Sequence, residues 1–325
     1  MKAAVIEKQG GVDGLIYREW PDPVPGDDEV LVRVRACGLN HLDIFVRRGM
    51  PDFPVPIPFI SGGDIAGDVV ATGNRTPKGL VGSRVLVDPA TPAGMIGEEL
   101  PGGMAELVVV PASHVIAIPD AVSFVDAACL PVAYGTARRM LLGRGALKPG
   151  ELVLVLGASG GVGNACVQIA HNTGASVIAA AGNADKLERL REIGADHLIN
   201  YRDQDFSSEA WQISDRKGVD LVVNFTGGET WVPSLRALRH QGRLVTCGAT
   251  AGFDPRTDLR YIWVRELNIM GSNGWESEDL RQLLRDVEGG RIKPIISHIL
   301  PLSRAREAEE LIEGRSIFGK VILQP

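Results

Sequence analysis

Apolar and polar residues alternate through the first third of the chain, and a helical rhythm takes over beyond it. Val30-Leu31-Val32-Arg33-Val34-Arg35, Ile65 to Val70, Arg84-Val85-Leu86-Val87 and Leu107-Val108-Val109-Val110 are short apolar-rich runs punctuated by glycine and proline. That pattern predicts an antiparallel, barrel-like unit. From about Ala121, short apolar runs alternate with segments at helical spacing. Strands are expected at Leu152–Leu156, Ser176–Ala181, Leu198–Ile199, Val219–Val223, Arg243–Cys247 and Leu267–Gly271. Helices are expected near Val162–Asn172, Ala184–Ile193, Phe206–Ile213 and Trp231–Arg239. Six strands with intervening helices predict a doubly wound parallel sheet. The tail reads as amphipathic helices near Glu276–Val287 and Ser303–Ile312, then a closing strand Lys320–Leu323. Prolines at 51, 54, 56 and 58 hold that run extended, as a stiff surface loop or as a cleft wall.

The most specific local signal is Leu152-Val153-Leu154-Val155-Leu156-Gly157-Ala158-Ser159-Gly160-Gly161-Val162-Gly163, followed by an apolar helical pattern from Asn164 to Ala170. Strand, glycine turn and helix in that order open a dinucleotide-binding βαβ unit. Glycines let the backbone approach a pyrophosphate, whose charge rests against free N–H groups at the helix start. Ser159, Gly160, Gly161, Val162 and Gly163 are therefore expected to hold the cofactor.

Bulk properties narrow the reading. At 325 residues the chain has room for two cores, and its 34 basic and 40 acidic residues leave a net charge of −6. An acidic balance without a basic cluster argues against nucleic acid or an anionic membrane as partner. The opening Met1-Lys2-Ala3-Ala4-Val5-Ile6-Glu7-Lys8 reads as a short strand and not as a signal peptide. No segment approaches the roughly 18 uninterrupted apolar residues of a membrane helix. Cys37, Cys129, Cys166 and Cys247 lie far apart without metal or redox spacing, which fits buried free thiols in the cytoplasm.

Further motifs run nearly end to end: Ala36-Cys37-Gly38-Leu39-Asn40-His41-Leu42-Asp43, Gly62-Gly63-Asp64-Ile65-Ala66-Gly67, Ala127-Ala128-Cys129-Leu130-Pro131 leading to Thr136-Ala137, Ile199-Asn200-Tyr201-Arg202 and Gly319-Lys320-Val321-Ile322-Leu323. With the glycine loop they resemble the medium-chain dehydrogenase/reductase superfamily, in its zinc-free quinone oxidoreductase branch. The resemblance implies an α/β protein: a Rossmann cofactor domain over 122–273, and a discontinuous GroES-like, mostly-β catalytic domain over 1–121 and 274–325. It also implies a homodimer built through the strand near Leu267–Gly271.

What departs from the superfamily pattern carries the chemistry. Zinc alcohol dehydrogenases have a cysteine where Asn40 stands, a His-Glu pair at Gly63-Asp64 and a second cysteine near Val132. Asparagine, glycine and valine cannot supply the thiolate and imidazole ligands of a catalytic zinc. Asp88 to Gly103 contains no cysteine, so the lobe that holds a structural zinc is missing too, and Leu42 replaces the proton-relaying Ser or Thr. No metal is expected, although a non-standard site built from His41, Asp43 and Asp64 is the alternative. By family position His41 faces the cofactor pyrophosphate, or else it is a neutral hydrogen-bonded side chain.

An NAD enzyme usually ends its second strand in Asp or Glu, which bonds the adenosine ribose and repels a 2′-phosphate. Here that strand ends Ala179-Ala180-Ala181-Gly182-Asn183, so NADP(H) is the expected cofactor. Lys186 and Tyr201 resemble the phosphate and adenine contacts of NADPH-dependent quinone reductases; Gly182 and Asn183 flank them, and Asn183 also suits a helix cap. By position alone, Thr136 and the Thr226-Gly227 turn border the nicotinamide and its ribose. Cys247-Gly248-Ala249 and Ser272-Asn273 offer backbone groups to its carboxamide.

Without a metal, a neutral donor must polarise the acceptor, and Asn40 offers an amide N–H. That favours substrates already electrophilic: quinones and α,β-unsaturated carbonyls, reduced by hydride transfer with the final proton from water. One- and two-electron quinone reduction both fit. Asp43 and Asp64 are the accompanying candidates, as acid/base or supporting carboxylates. Alternatives are an alcohol or aldehyde dehydrogenase with a non-standard metal site, and a non-catalytic NADPH-binding dimer.

Overall fold

The computed structural model describes residues 1–50 and 54–325. Pro51, Asp52 and Phe53, the start of the proline run, lie outside the described residues. The chain forms two compact units: Met1–Val132 with Leu280–Pro325, and Ala133–Asp279.

The first unit is organised by the long strand Glu29–Leu39. Val30, Val32 and Val34 face the core while Arg33 and Arg35 face out, until every residue from Ala36 to Leu39 is buried. Alternation followed by continuous burial marks a strand whose second half is covered on both faces. It pairs antiparallel with Asp64–Thr72, with Leu107–Pro111 and with the closing strand Lys320–Gln324. The register sets Gly38 opposite both Asp64 and Ile322, and Leu39 opposite Val321. Consequently Asn40, Asp64 and Lys320 meet at one end of the sheet, although they come from three distant parts of the sequence. Ile6, Leu15, Ile44, Ile65 and Met104 are fully buried in this unit's core.

The second unit carries a six-stranded parallel sheet in the spatial order His197–Asn200, Ser176–Ala181, Leu152–Leu156, Val219–Val223, Leu238–Thr246, Asn268–Gly271. Numbered along this unit, that is 3-2-1-4-5-6, the doubly wound dinucleotide-binding order, in which ligands gather where the order reverses beside the first strand. Leu152–Leu156 is central and apolar on both faces, as a strand covered by helices must be. The fifth strand differs from the sequence expectation. The preceding helix, Trp231–Ala237, stops two residues early because Leu238 already pairs with Val219, ahead of a register shift. Among the described residues, no helix is long and apolar enough to cross a membrane.

Candidate active site

In the first unit, Asn40 ends the long strand and begins the helix His41–Arg48, whose N-terminus it caps with Asp43. The Asn40 backbone N–H donates to Asp43 Oδ2 at 2.8 Å. The Asn40 side chain is engaged elsewhere: its Nδ2 donates to Asp64 Oδ2 at 2.9 Å, and its Oδ1 accepts from Lys320 Nζ at 2.6 Å. Lys320 Nζ also donates to Asp64 Oδ2 and to the Leu39 carbonyl, both at 2.8 Å. The remaining oxygen of Asp64 accepts the Val132 backbone N–H at 2.8 Å. Thus Asn40, Asp64 and Val132, three positions at or beside which zinc relatives carry ligands, are tied to one another here around a lysine. Asp64 is 0% exposed and Lys320 3%. An ammonium has three N–H groups and this one uses all three on oxygens. Sequence reasoning treated Lys320 only as part of the closing motif; its pairing depends on tertiary register alone.

Asp43 lies next to this cluster. Its other oxygen accepts from Ser61 Oγ at 2.9 Å and from the Gly62 N–H at 3.0 Å. Burial pushes its carboxyl up to about 6, with the Asp64 charge adding to the rise and the Asn40 and Ser61 hydrogen bonds opposing it. His41, exposed at the start of the helix, is driven the other way: desolvation, then the cations Arg315, Lys320 and Arg48, lower its imidazole. Cys37 and Cys129 are buried and free, and desolvation raises both thiols. Among the described residues, no group of three or more His, Cys, Asp or Glu side chains is arranged to hold a metal ion.

In the second unit the glycine loop leaves Leu152–Leu156 and enters the helix Gly161–Asn172. A Cβ on Gly163 would stand 2.3 Å from the Gly157 carbonyl oxygen, so only glycine permits this closeness of loop and helix. Fully buried Asn164 clamps the loop: its Nδ2 donates to the Ala158 and Gly160 carbonyls, at 2.9 and 3.1 Å. Sequence reasoning missed Asn164, whose signal was an amide inside an apolar helical stretch. The first N–H groups of the helix, at Gly161, Val162 and Gly163, are those that helix geometry leaves for a ligand. Ser159 and Gly160 precede them, half-buried.

At the end of the second strand, Asn183 acts as the helix cap, its Oδ1 accepting the Lys186 N–H at 3.2 Å. Parallel pairing of Ala181 with Asn200 carries Tyr201 and Arg202 alongside Gly182. Arg202 Nε and a Tyr201 ring carbon each lie 3.0 Å from where a Gly182 Cβ would stand. Desolvation, then Arg202 and Arg189, lower the Lys186 pKa, so three cations share this corner and Ala181 brings no carboxylate to it. Arg202, which the sequence offered only as part of a motif, is a further residue missed: its guanidinium comes from the end of the neighbouring strand.

Beyond the fourth strand, buried Asn224 shapes the Thr226-Gly227 turn. Its Oδ1 accepts both of that turn's N–H groups, at 2.9 and 3.0 Å, and its Nδ2 donates to Thr230 Oγ1 and Ser234 Oγ. Ser272, at the end of the sixth strand, keeps a buried Oγ with no hydrogen-bond partner among the described residues. Such an orphan is costly unless a ligand serves it. Cys247, Gly248 and Ala249 follow the fifth strand, and Asn273 follows Ser272 at the surface. Burial pushes the thiol of half-buried Cys247 up to about 12, away from the thiolate. Thr136 is buried in its short helix. The glycine loop, the cationic corner and the orphan hydroxyl together suit a dinucleotide.

Residues 26–120 match the alcohol dehydrogenase GroES-like domain family, and residues 161–289 the zinc-binding dehydrogenase family. The chain is 30% identical to the quinone oxidoreductase of Homo sapiens over 333 residues, covering 99% of this chain and 97% of that protein. It is 33% identical over 351 residues to the synaptic vesicle membrane protein VAT-1 homolog of Rattus norvegicus, covering 100% of this chain and 84% of that protein. The crystal structure of an NAD-dependent alcohol dehydrogenase superposes with a TM-score of 0.96 at 35% identity, over 100% of both chains. On these motifs, this topology and these relatives, the chain is an oxidoreductase that belongs to the medium-chain dehydrogenase/reductase superfamily, in its quinone oxidoreductase-like branch.

Proposed function

We propose that the protein reduces quinones and other α,β-unsaturated carbonyls with NADPH, by direct hydride transfer and without zinc. The observation that carries this reading is the Lys320 ammonium bonded to Asp64 and Asn40 amid the positions where zinc relatives hold their metal. A divalent ion needs thiolate, imidazole or free carboxylate ligands. Here the carboxylate is already spent on a cation and on a backbone N–H, and an asparagine and a valine replace the sulfurs. That donor set does not fit zinc.

Activation then falls to Asn40, which is half-buried and keeps its second Nδ2–H without a partner among the described residues. Pointed at an acceptor oxygen, one such donor is worth about 3 to 4 kcal/mol of transition-state stabilisation. That suffices where the acceptor delocalises the incoming charge, and falls short of what a metal gives a simple ketone. The bound dinucleotide supplies the hydride. Asn40 steadies the negative charge that develops on the acceptor oxygen, and water delivers the proton that completes the hydroquinone or the saturated carbonyl. NADPH over NADH is supported by Lys186 and Arg202 near Gly182 and by the lack of a carboxylate at Ala181. A homodimer is supported by the edge strand Asn268–Gly271 and the exposed Trp263, Val264 and Ile269 near it.

A second reading, alcohol oxidation with NAD and zinc, is favoured by the dehydrogenase family match and by the alcohol dehydrogenase structure it resembles. One experiment separates the two. NADPH and NADH oxidation are followed against quinones, enones and aldehydes, alcohols are assayed in the reverse direction, and metal is measured on the same preparation. The expected result is NADPH-linked quinone or enone reduction without bound metal. Stoichiometric zinc with alcohol turnover overturns the proposal.

A further inference from the structure

A buried ion pair is an expensive way to hold three strands together, since apolar residues of similar volume would do as well or better. Asp64 and Lys320 are nonetheless sealed from solvent, at 0% and 3% exposure. What the pair does that an apolar pair cannot is fix the direction of an amide. The Asn40 side chain can sit in either of two flipped orientations, with oxygen and nitrogen exchanged. With the ammonium on one side and the carboxylate on the other, only one satisfies every group: oxygen toward Lys320 Nζ at 2.6 Å, nitrogen toward Asp64 Oδ2 at 2.9 Å. The flipped amide would face N–H against ammonium and carbonyl against carboxylate.

We propose that Lys320 is a positioning residue for the reduction, holding the Asn40 amide in one orientation and polarising it so that its free N–H meets the acceptor oxygen. This rests on the function proposed above, because it needs Asn40 to be the group that touches the acceptor. Lys320 acts through Asn40 only. A charge-assisted hydrogen bond on the amide oxygen draws electron density from the nitrogen and strengthens the remaining N–H as a donor. The cation therefore serves in place of a metal without binding the substrate itself. A reader of sequence alone would see in Lys320 a solvated lysine opening the last strand. The register of that strand with Leu39 is what turns it inward.

The test is a cycle of substitutions read in turnover. Lys320→Gln with Asp64→Asn removes both charges together, so no lone charge is stranded inside. Lys320→Met with Asp64→Leu is the apolar counterpart, used if the amide pair does not fold. With thermal stability and the KM for NADPH close to wild type, kcat falls tenfold or more. The loss is larger for a weakly electrophilic enone than for benzoquinone, because the poorer acceptor depends more on polarisation. Adding Asn40→Ala to either pair costs little further, since both changes disable the same amide. A loss that is equal for both acceptors, or that multiplies with that of Asn40→Ala, overturns the inference and leaves Lys320 a purely structural residue. If the wild-type protein consumes no NADPH with any acceptor, the function itself is refuted and this inference with it. Turnover with an additive cycle refutes the inference alone.

Discussion

Asp43 and Asp64 are both buried, yet they face different neighbours. Asp64 meets an ammonium, while Asp43 meets, among the described residues, only neutral donors: two backbone N–H groups and the Ser61 hydroxyl. Neutral donors do not offset the loss of hydration, so burial pushes Asp43 up to about 6 from an ordinary value of 3.8. A carboxyl whose pKa is raised by folding binds its proton more tightly in the folded chain. Its contribution to stability is therefore full below about pH 4 and lost as the pH rises through 6. Asp43→Asn cannot titrate. The unfolding free energy of the wild type relative to that variant is thus expected to fall by about 2 kcal/mol between pH 4 and pH 7. Urea unfolding of both proteins across that range checks it, and a constant or rising difference would contradict the assignment. The sequence singled out Asn40, Asp43 and Asp64 because the resemblance marks those positions. It gave no sign of Lys320 as their partner, since what joins them is strand register and not spacing along the chain.

The pairing of neighbouring strands also decides which side chains stand at the end of the second strand, where the proposed NADPH would place its 2′-phosphate. The sequence reading assigned this corner to Lys186 and Tyr201 and left Arg202 as part of the Ile199-Asn200-Tyr201-Arg202 motif. The guanidinium arrives instead from the following strand, whose register sets Asn200 against Ala181 and brings Arg202 to Gly182. Strands and helices of the second unit were legible because periods of 2 and 3.6 residues are local properties. Their lateral neighbours were not, and the fifth strand was read short at its start because pairing with Val219, not propensity, draws Leu238 in. Arg202→Ala is expected to raise the KM for NADPH about tenfold, as loss of a charge-assisted phosphate contact would. The KM for NADH, which has no 2′-phosphate, should move less than twofold. Steady-state kinetics with both cofactors measure the difference, and equal shifts would mean that Arg202 serves the fold or the shared part of the dinucleotide.

For the molecule as a whole, the homodimer proposed above would use one of the two edge strands of the parallel sheet, Asn268–Gly271 and not His197–Asn200. Among the described residues, Asn268–Gly271 bonds to Leu238–Thr246 on one side only and is the last strand of its sheet. Natural sheets protect such an edge with charge, a bulge or a covering element, because free N–H and C=O groups invite another strand. This edge is Asn-Ile-Met-Gly, with no charged residue, and Ile269 is exposed. Close by in sequence, the helix Leu259–Arg265 exposes Leu259, Trp263 and Val264, an apolar face that a soluble monomer rarely leaves uncovered. A second copy meeting this edge by a two-fold axis would extend the sheet and cover both faces at once. Trp263→Glu combined with Ile269→Lys places opposed charge and desolvation in that interface while leaving the core of the unit untouched. Light scattering is expected to give a dimer for the wild-type chain and a monomer for the variant, with the circular dichroism of both alike. A dimer that survives both substitutions would move the interface elsewhere on the molecule.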